Sequence, residues 1–180
     1  IGEFSDKNVG EGKTVTLTSG TSGADASNYA FTHQASTTAD ITAKPVTVTG
    51  ITASNKVYDG LIGATVDVSG IDETGIGILA GDTGTVTISA IGEFSDKNVG
   101  EGKTVTLTSD TTGADASNYA FTHQTSTAAD ITAKPVTVAG ITASDKVYDG
   151  LTSVVVDSSG ASGWVIGDDI TISSTGVFSD

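Results

Sequence analysis

The residues of this sequence that could do chemistry are few, and their spacing decides most of what they can do. GEGKT, at 10–14 and again at 100–104, has the tail of a phosphate-binding loop. The full motif needs a glycine where Lys7 and Lys97 stand, and it must open a helix. Here it runs into TVTLT, a strand pattern, so we read it as a hairpin turn. GIGILA at 75–80 fits a dinucleotide fingerprint with alanine in the last place. It runs into GDTG and another strand, not into the helix whose N-terminus would hold a pyrophosphate. The match is read as chance in a glycine-rich loop. His33 and His123 each share a strand face with Tyr and Phe. Zinc takes three or four ligands, so a packing or interfacial role is expected for both.

Acidic loops raise the question of calcium. Calcium takes six to eight oxygens, often from loop carboxylates and carbonyls. Asp25 is one acidic loop residue, and the calcium candidates are Asp72, Glu73, Asp82, Asp168 and Asp169. The chain has no EF-hand or glycine-rich nonapeptide loop, and the acidic loop 71–75 does not recur. The favoured reading is a solvated acidic surface that keeps neighbouring domains apart. No other cofactor is expected. Lys13, Lys56, Asn8 and Asn28 are candidates by residue type for an intramolecular isopeptide bond. There is no G-x-S-x-G elbow, no H-E-x-x-H and no cysteine, so no catalytic residue is assigned and the chain is read as not an enzyme.

Composition narrows the partners. The 180 residues carry 22 acidic side chains against eight cations, all lysine, for a net charge of −14. Phosphate binding needs a basic surface, so nucleic acid is excluded as an expected partner, and an anionic membrane surface would repel the chain. No window approaches 18 consecutive apolar residues, so no membrane insertion is expected. Without cysteine there is neither a disulfide framework nor a thiolate metal site. At 37% hydrophobic residues the chain can still bury a core.

The elements that must position these residues are repeated. Residues 1–60 and 91–150 align without a gap at a period of 90, with six differences: Gly20/Asp110, Ser22/Thr112, Ala35/Thr125, Thr38/Ala128, Thr49/Ala139 and Asn55/Asp145. GDTGTVTISAIGEFSD (81–96) pairs more loosely with GDDITISSTGVFSD (167–180). A period this long suits a small domain in tandem rather than a solenoid unit. The boundaries expected are 41–130 for one complete copy, 1–40 for the C-terminal part of the copy before it and 131–180 for the N-terminal part of the next. The sequence reads as a slice of a longer array. Pro45 and Pro135, the two prolines, mark the ADITAKPVTV junction.

Apolar residues alternate with threonine throughout: Val15 and Leu17, Val46 and Val48, Val66 and Val68, Val86 and Ile88. Tyr29, Phe31 and His33 share one face of another such run. Period two marks half-buried strands, and Val, Ile and Thr favour pleated surfaces. Turn strings rich in Gly, Asn and Asp separate the runs. ADASNYA could hold a single helical turn. The prediction is an all-β chain of tandem antiparallel β-sandwich domains, immunoglobulin-like, with about seven strands per copy. A β-grasp-like sheet with a short helix is the alternative.

KVYDG (56–60, 146–150), FSDKNVGEGKTVTLT (4–18, 94–108) and GADASNYAF (23–31, 113–121) carry a resemblance. They are similar to the YDG-type tandem repeats of large bacterial surface adhesins, the filamentous-haemagglutinin-like proteins, over essentially the whole chain. The resemblance implies an extracellular location on the bacterial surface, many copies in tandem and no catalytic residues. The expected function is a stalk or spacer that extends a binding tip, with neighbouring repeats of the same chain as partners. One alternative is a subunit of a self-assembling filament or matrix, formed by strand exchange between half-repeats, so that other copies of the chain are the partners. A further alternative is a glycan- or host-protein-binding module, which would need an exposed aromatic patch, whereas the one tryptophan, Trp164, is not repeated.

Overall fold

A computed structural model describes residues 1–179. The chain is all-β, and among the described residues its helical content is two 3-10 turns, Ala26–Asn28 and Ala116–Asn118. Both fall in the repeated ADASN string, where Ser, Asn and Asp compete with strand hydrogen bonding. Among the described residues no helix is long and apolar enough to cross a membrane. The contacts divide the chain into two compact units: 1–52, 66–91 and 107–126 in the first, and 53–65, 92–106 and 127–180 in the second. Strands Thr87–Phe94 and Gly100–Thr112 contribute residues to both.

In the first unit, Gly2–Phe4, Gly10–Leu17 and Ser36–Ile41 form an antiparallel sheet in that order. The ladder slips between Gly10 and Lys13, where Gly12 takes φ +59° and donates its N–H to Asp40 Oδ1 at 2.7 Å. GEGKT is therefore not a hairpin turn but a bulged strand start. A glycine tolerates the left-handed conformation that the extra residue of a bulge requires. GIGILA lies in a run of turns that buries Ile78. Lys44–Thr47 and Tyr119–Thr122 form a separate pair, and this ladder is parallel. Val46, Ile78, Val86 and Tyr119 make the core beneath it, with Ile76, Ile88 and Phe121 packed against them.

A five-stranded sheet has the order Lys56–Val57, Ser126–Thr132, Gly100–Thr112, Thr87–Phe94, Gly63–Ala64. Its first ladder is also parallel, with Ile131 opposite Lys56, and its last is antiparallel. Phe94, Val105 and Ile131 are buried. Two short antiparallel ladders come next, Thr142–Ala143 with Val156–Asp157 and Ser153–Val154 with Gly176–Val177. The two parallel ladders join segments far apart in sequence, a pairing that alternation within single strands does not encode.

Equivalent residues of different copies repeat their contacts. The Ser5 N–H donates to the Thr14 carbonyl at 3.0 Å, and the Ser95 N–H to the Thr104 carbonyl at 2.9 Å. Gly102 donates to Asp130 Oδ1 at 2.7 Å, as Gly12 does to Asp40. One difference stands out. NYAFTH forms a strand at Tyr119–Thr122, but its identical copy at 28–33 does not.

Candidate functional site

Asp82 ends a tight turn, with its N–H on the Leu79 carbonyl at 2.8 Å and its own carbonyl accepting from Thr85 N–H at 3.1 Å. The turn points the carboxylate inward, leaving its side chain 8% exposed. A near-buried charge must be paired, and two groups converge on it. The Tyr119 hydroxyl donates to Oδ2 at 2.7 Å, and Lys7 Nζ donates to Oδ1 at 3.0 Å. Lys7 also reaches Asp115 at 3.3 Å. The Tyr119 hydroxyl first and the Lys7 ammonium second hold the Asp82 carboxyl below the usual carboxylate range. The two carboxylates raise Lys7, and burial pushes the Tyr119 hydroxyl up. Beside them the Val9 N–H donates to Asn118 Oδ1 at 3.0 Å, and Asn118 Nδ2 donates to Asn8 Oδ1 at 3.2 Å. A cleft of about 340 Å³, lined by Val9, Lys44 and Leu79 among others, opens onto this cluster.

In the second unit the equivalent lysine and aspartate pair again, with a tyrosine from a different position of the repeat. Lys97 Nζ donates to Asp168 Oδ1 at 3.0 Å, and the Tyr58 hydroxyl lies 2.8 Å from each oxygen of the same carboxylate. Lys97 first, then Tyr58, hold Asp168 below the usual range, and Asp168 raises Lys97. The Lys97 ammonium also stands 5.8 Å from the centre of the Tyr58 ring, within cation–π range. Lys7 and Lys97 are 90 residues apart in identical strings, and Asp82 and Asp168 both follow glycine in corresponding GD loops.

A family model, the YDG domain, matches residues 1–39, 42–128 and 132–180. The chain belongs to the YDG domain family. No curated protein and no solved structure matches it. With those bounds, Lys7–Asp82 and Lys97–Asp168 each join one YDG stretch to the next. So does Tyr58, the tyrosine of the YDG motif itself, through its bond to Asp168. The rest of the motif serves its own turn. Lys56 Nζ donates to Asp59 Oδ1 at 2.8 Å, to the Leu61 carbonyl at 2.8 Å and to the Gly63 carbonyl at 3.1 Å. Lys146 repeats all three contacts with Asp149, Leu151 and Ser153. Each lysine head thus ties together the carbonyls of the loop that leads from the motif into the next short strand.

The calcium candidates are not gathered. Asp72 closes its own turn, accepting from Thr74 Oγ1 at 2.8 Å and Gly75 N–H at 2.9 Å. Glu73 lines an open groove with Val68, Ile71 and Val86. Asp82 and Asp168 are held by lysines, and Asp169 is exposed. Among the described residues no three His, Asp or Glu side chains come together as a metal would require. Of the isopeptide candidates, Lys13 contacts Asp6 and the Asn8 carbonyl rather than the Asn8 amide, and Lys56 is committed to its turn. His33 and His123 stack on Phe31 and Phe121, with ring centres 6.2 and 6.1 Å apart.

Sequence reasoning passed over Lys7, Lys97, Tyr58 and Tyr119 as members of a junction. The signal available was the recurrence of a lysine in DKNV together with an aspartate in a GD loop. Nothing in the sequence itself said that these two would meet.

Proposed function

We propose that the chain is a stalk or spacer segment of an extracellular bacterial adhesin, in which tandem YDG copies hold a binding tip away from the cell surface. The observation that carries this reading is the repeated Lys–Asp contact from one YDG stretch to the next. A single binding domain has no need of an ion pair that recurs with the repeat, whereas an array does. Each junction ties consecutive copies without a covalent cross-link. The high negative charge favours solubility and discourages side-by-side association of copies. In this reading the complete copy, 41–130, is one all-β domain with sheets packed in the immunoglobulin manner. Neighbouring copies are its partners, no reaction is catalysed, and calcium is not required.

Solution X-ray scattering on chains of two, four and six copies tests the reading. A maximum dimension that grows by roughly 35–45 Å per copy, a stacked-strand length with its loops, supports a stalk. Growth that needs calcium and is lost with chelator would return a metal to the junction. Particles that become more compact with copy number would overturn the stalk.

A further inference from the structure

Asp59-Gly60 and Asp149-Gly150 are the two Asp-Gly dipeptides of the chain, and Asn-Gly does not occur. An aspartate before glycine is open to attack by its own backbone, because glycine has no Cβ to keep its nitrogen away from the preceding side chain. The attack has definite requirements. The carboxyl must be protonated, so that its hydroxyl leaves as water. Its side chain must also turn toward the glycine nitrogen.

Both turns oppose these requirements in the same way. Lys56 Nζ donates to Asp59 Oδ1 and to the Leu61 and Gly63 carbonyls. An ammonium has three donors and no acceptor, so these three oxygens use it fully. The Leu61 N–H donates to the same Oδ1 at 2.9 Å. The Lys56 side chain is 17% exposed, with its ammonium 5.7 Å from the centre of the Phe94 ring. Lys146 meets Asp149 and the Leu151 and Ser153 carbonyls at 2.7, 2.8 and 2.9 Å, and the Leu151 N–H donates to Asp149 Oδ1 at 3.0 Å. The lysine first, and the leucine N–H second, hold each carboxyl below the usual carboxylate range. The ionised form is thereby favoured and the side chain is fixed by two donors on one oxygen. The lock belongs to the turn itself, because it is the same in two different settings. A Cβ on Gly60 would meet Val165 at 2.8 Å, whereas one on Gly150 would meet nothing within 4 Å.

We propose that Asp59 and Asp149 are sites of aspartate isomerisation, and that Lys56 and Lys146 are the positioning residues that keep them unmodified. In an unlocked turn the Gly60 nitrogen bonds to Asp59 Cγ, and the carboxyl hydroxyl leaves with the amide proton as water. The five-membered imide then takes up water at the main-chain carbonyl carbon of Asp59. The peptide bond to Gly60 now runs through Cγ, and the former main-chain carbonyl becomes the free carboxylate. One water leaves and one returns, so the mass is unchanged and no other reactant is needed. The product has an extra backbone carbon and a shorter acidic side chain, so the carboxylate no longer reaches Lys56 as before. Tyr58 is the residue next to the change. Its N–H donates to the Thr132 carbonyl at 2.8 Å and its hydroxyl to Asp168 at 2.8 Å, and the lengthened chain shifts it from both. The inference needs only the turn and stands whether or not the copies act as a stalk.

Prolonged incubation of the whole chain at neutral pH tests it, followed by peptide mapping and labelling with an isoaspartyl methyltransferase, which marks only the isomerised form. Lys56→Met is expected to raise the rate at Asp59 by about tenfold, the loss of one charge-assisted hydrogen bond, and to leave Asp149 at its wild-type rate. Lys146→Met gives the reverse pattern. Each variant carries the other turn as an internal control, which separates a local unlocking from a general loss of fold. Rates that rise together at both aspartates in one variant would assign the protection to the fold as a whole and overturn the proposal. Variants that isomerise no faster than the wild type overturn it as well.

Discussion

The Tyr119 hydroxyl donates to Asp82 at 2.7 Å and accepts the Leu79 N–H at 3.0 Å, and both bonds lie inside the first unit. One side chain thus satisfies a turn amide and a near-buried carboxylate together. Tyr119→Phe leaves both short of a partner and is expected to cost about 1–2 kcal/mol. The same change at Tyr29, which is exposed, should stay within about 0.5 kcal/mol. Urea unfolding of the two variants checks this, and equal losses would remove Tyr119 from its assigned place.

The pH dependence comes from the lowered carboxyls of Asp82 and Asp168. A carboxyl whose folded value lies below its ordinary value of about 3.9 adds stability above that value. The contribution is lost as pH falls through the folded value. The melting temperature should therefore hold from neutral pH to about pH 4 and drop below it. Replacing both Lys7 and Lys97 by alanine lowers the melting temperature at pH 7. The difference from wild type should vanish in strong acid, where the ion pairs are gone in both proteins. A gap that persists there would mean the lysines act through packing instead.

Ile51 and Ile141 are equivalent residues of successive copies, yet Ile51 is 1% exposed and Ile141 42%. Ile51→Ala should cost about 2–5 kcal/mol through transfer and cavity terms. Ile141→Ala should cost about 0.5 kcal/mol or less. Chemical denaturation distinguishes the two cases.

Gly113 has φ +123°, and a Cβ there would overlap the Thr85 carbonyl oxygen. Its equivalent, Gly23, has φ +139° with open space around it. Gly23→Ala is expected to cost only backbone strain, about 1–3 kcal/mol. Gly113→Ala adds displacement of the Thr85 backbone and should be clearly worse in thermal unfolding.

Lys103 Nζ lies 2.8 Å from Asp96 Oδ1, and Lys146 lies 2.7 Å from Asp149. The carboxyls of Asp96 and Asp149 are held low by these lysines, and an ionised carboxylate is a poor electrophile for an amine. Intact mass spectrometry should therefore return the full sequence mass. A loss of water at either pair, or of ammonia at an Asn, would mean that a covalent cross-link has formed.

Local features were legible in the residues. Val15, Val46 and Val48 are buried as their alternation requires, the ADASN strings form single helical turns, and Asp59-Gly60 turns the chain with φ +82° at the glycine. Each depends on neighbours a few residues away. The bulge at Gly12 was not legible, because a bulge is a property of two strands in register and GEGKT supplies only one. Nor was the junction. Lys7 and Asp82 are 75 residues apart, Tyr58 and Asp168 are 110 apart, and the two parallel ladders join strands whose order in space is not their order in the chain.

By itself the sequence determined the period of 90, the all-β class, local turns such as Asp59-Gly60 and the family. All of these rest on residue type and near-neighbour spacing. Only the tertiary structure decided which copy of a repeated segment becomes a strand. NYAFTH is identical at 28–33 and 118–123, so nothing within those six residues can separate them. A strand edge is completed by hydrogen bonds and apolar cover from another segment. Lys44–Thr47 provides both for Tyr119–Thr122, and among the described residues no segment of the same chain does so for Tyr29–Thr32.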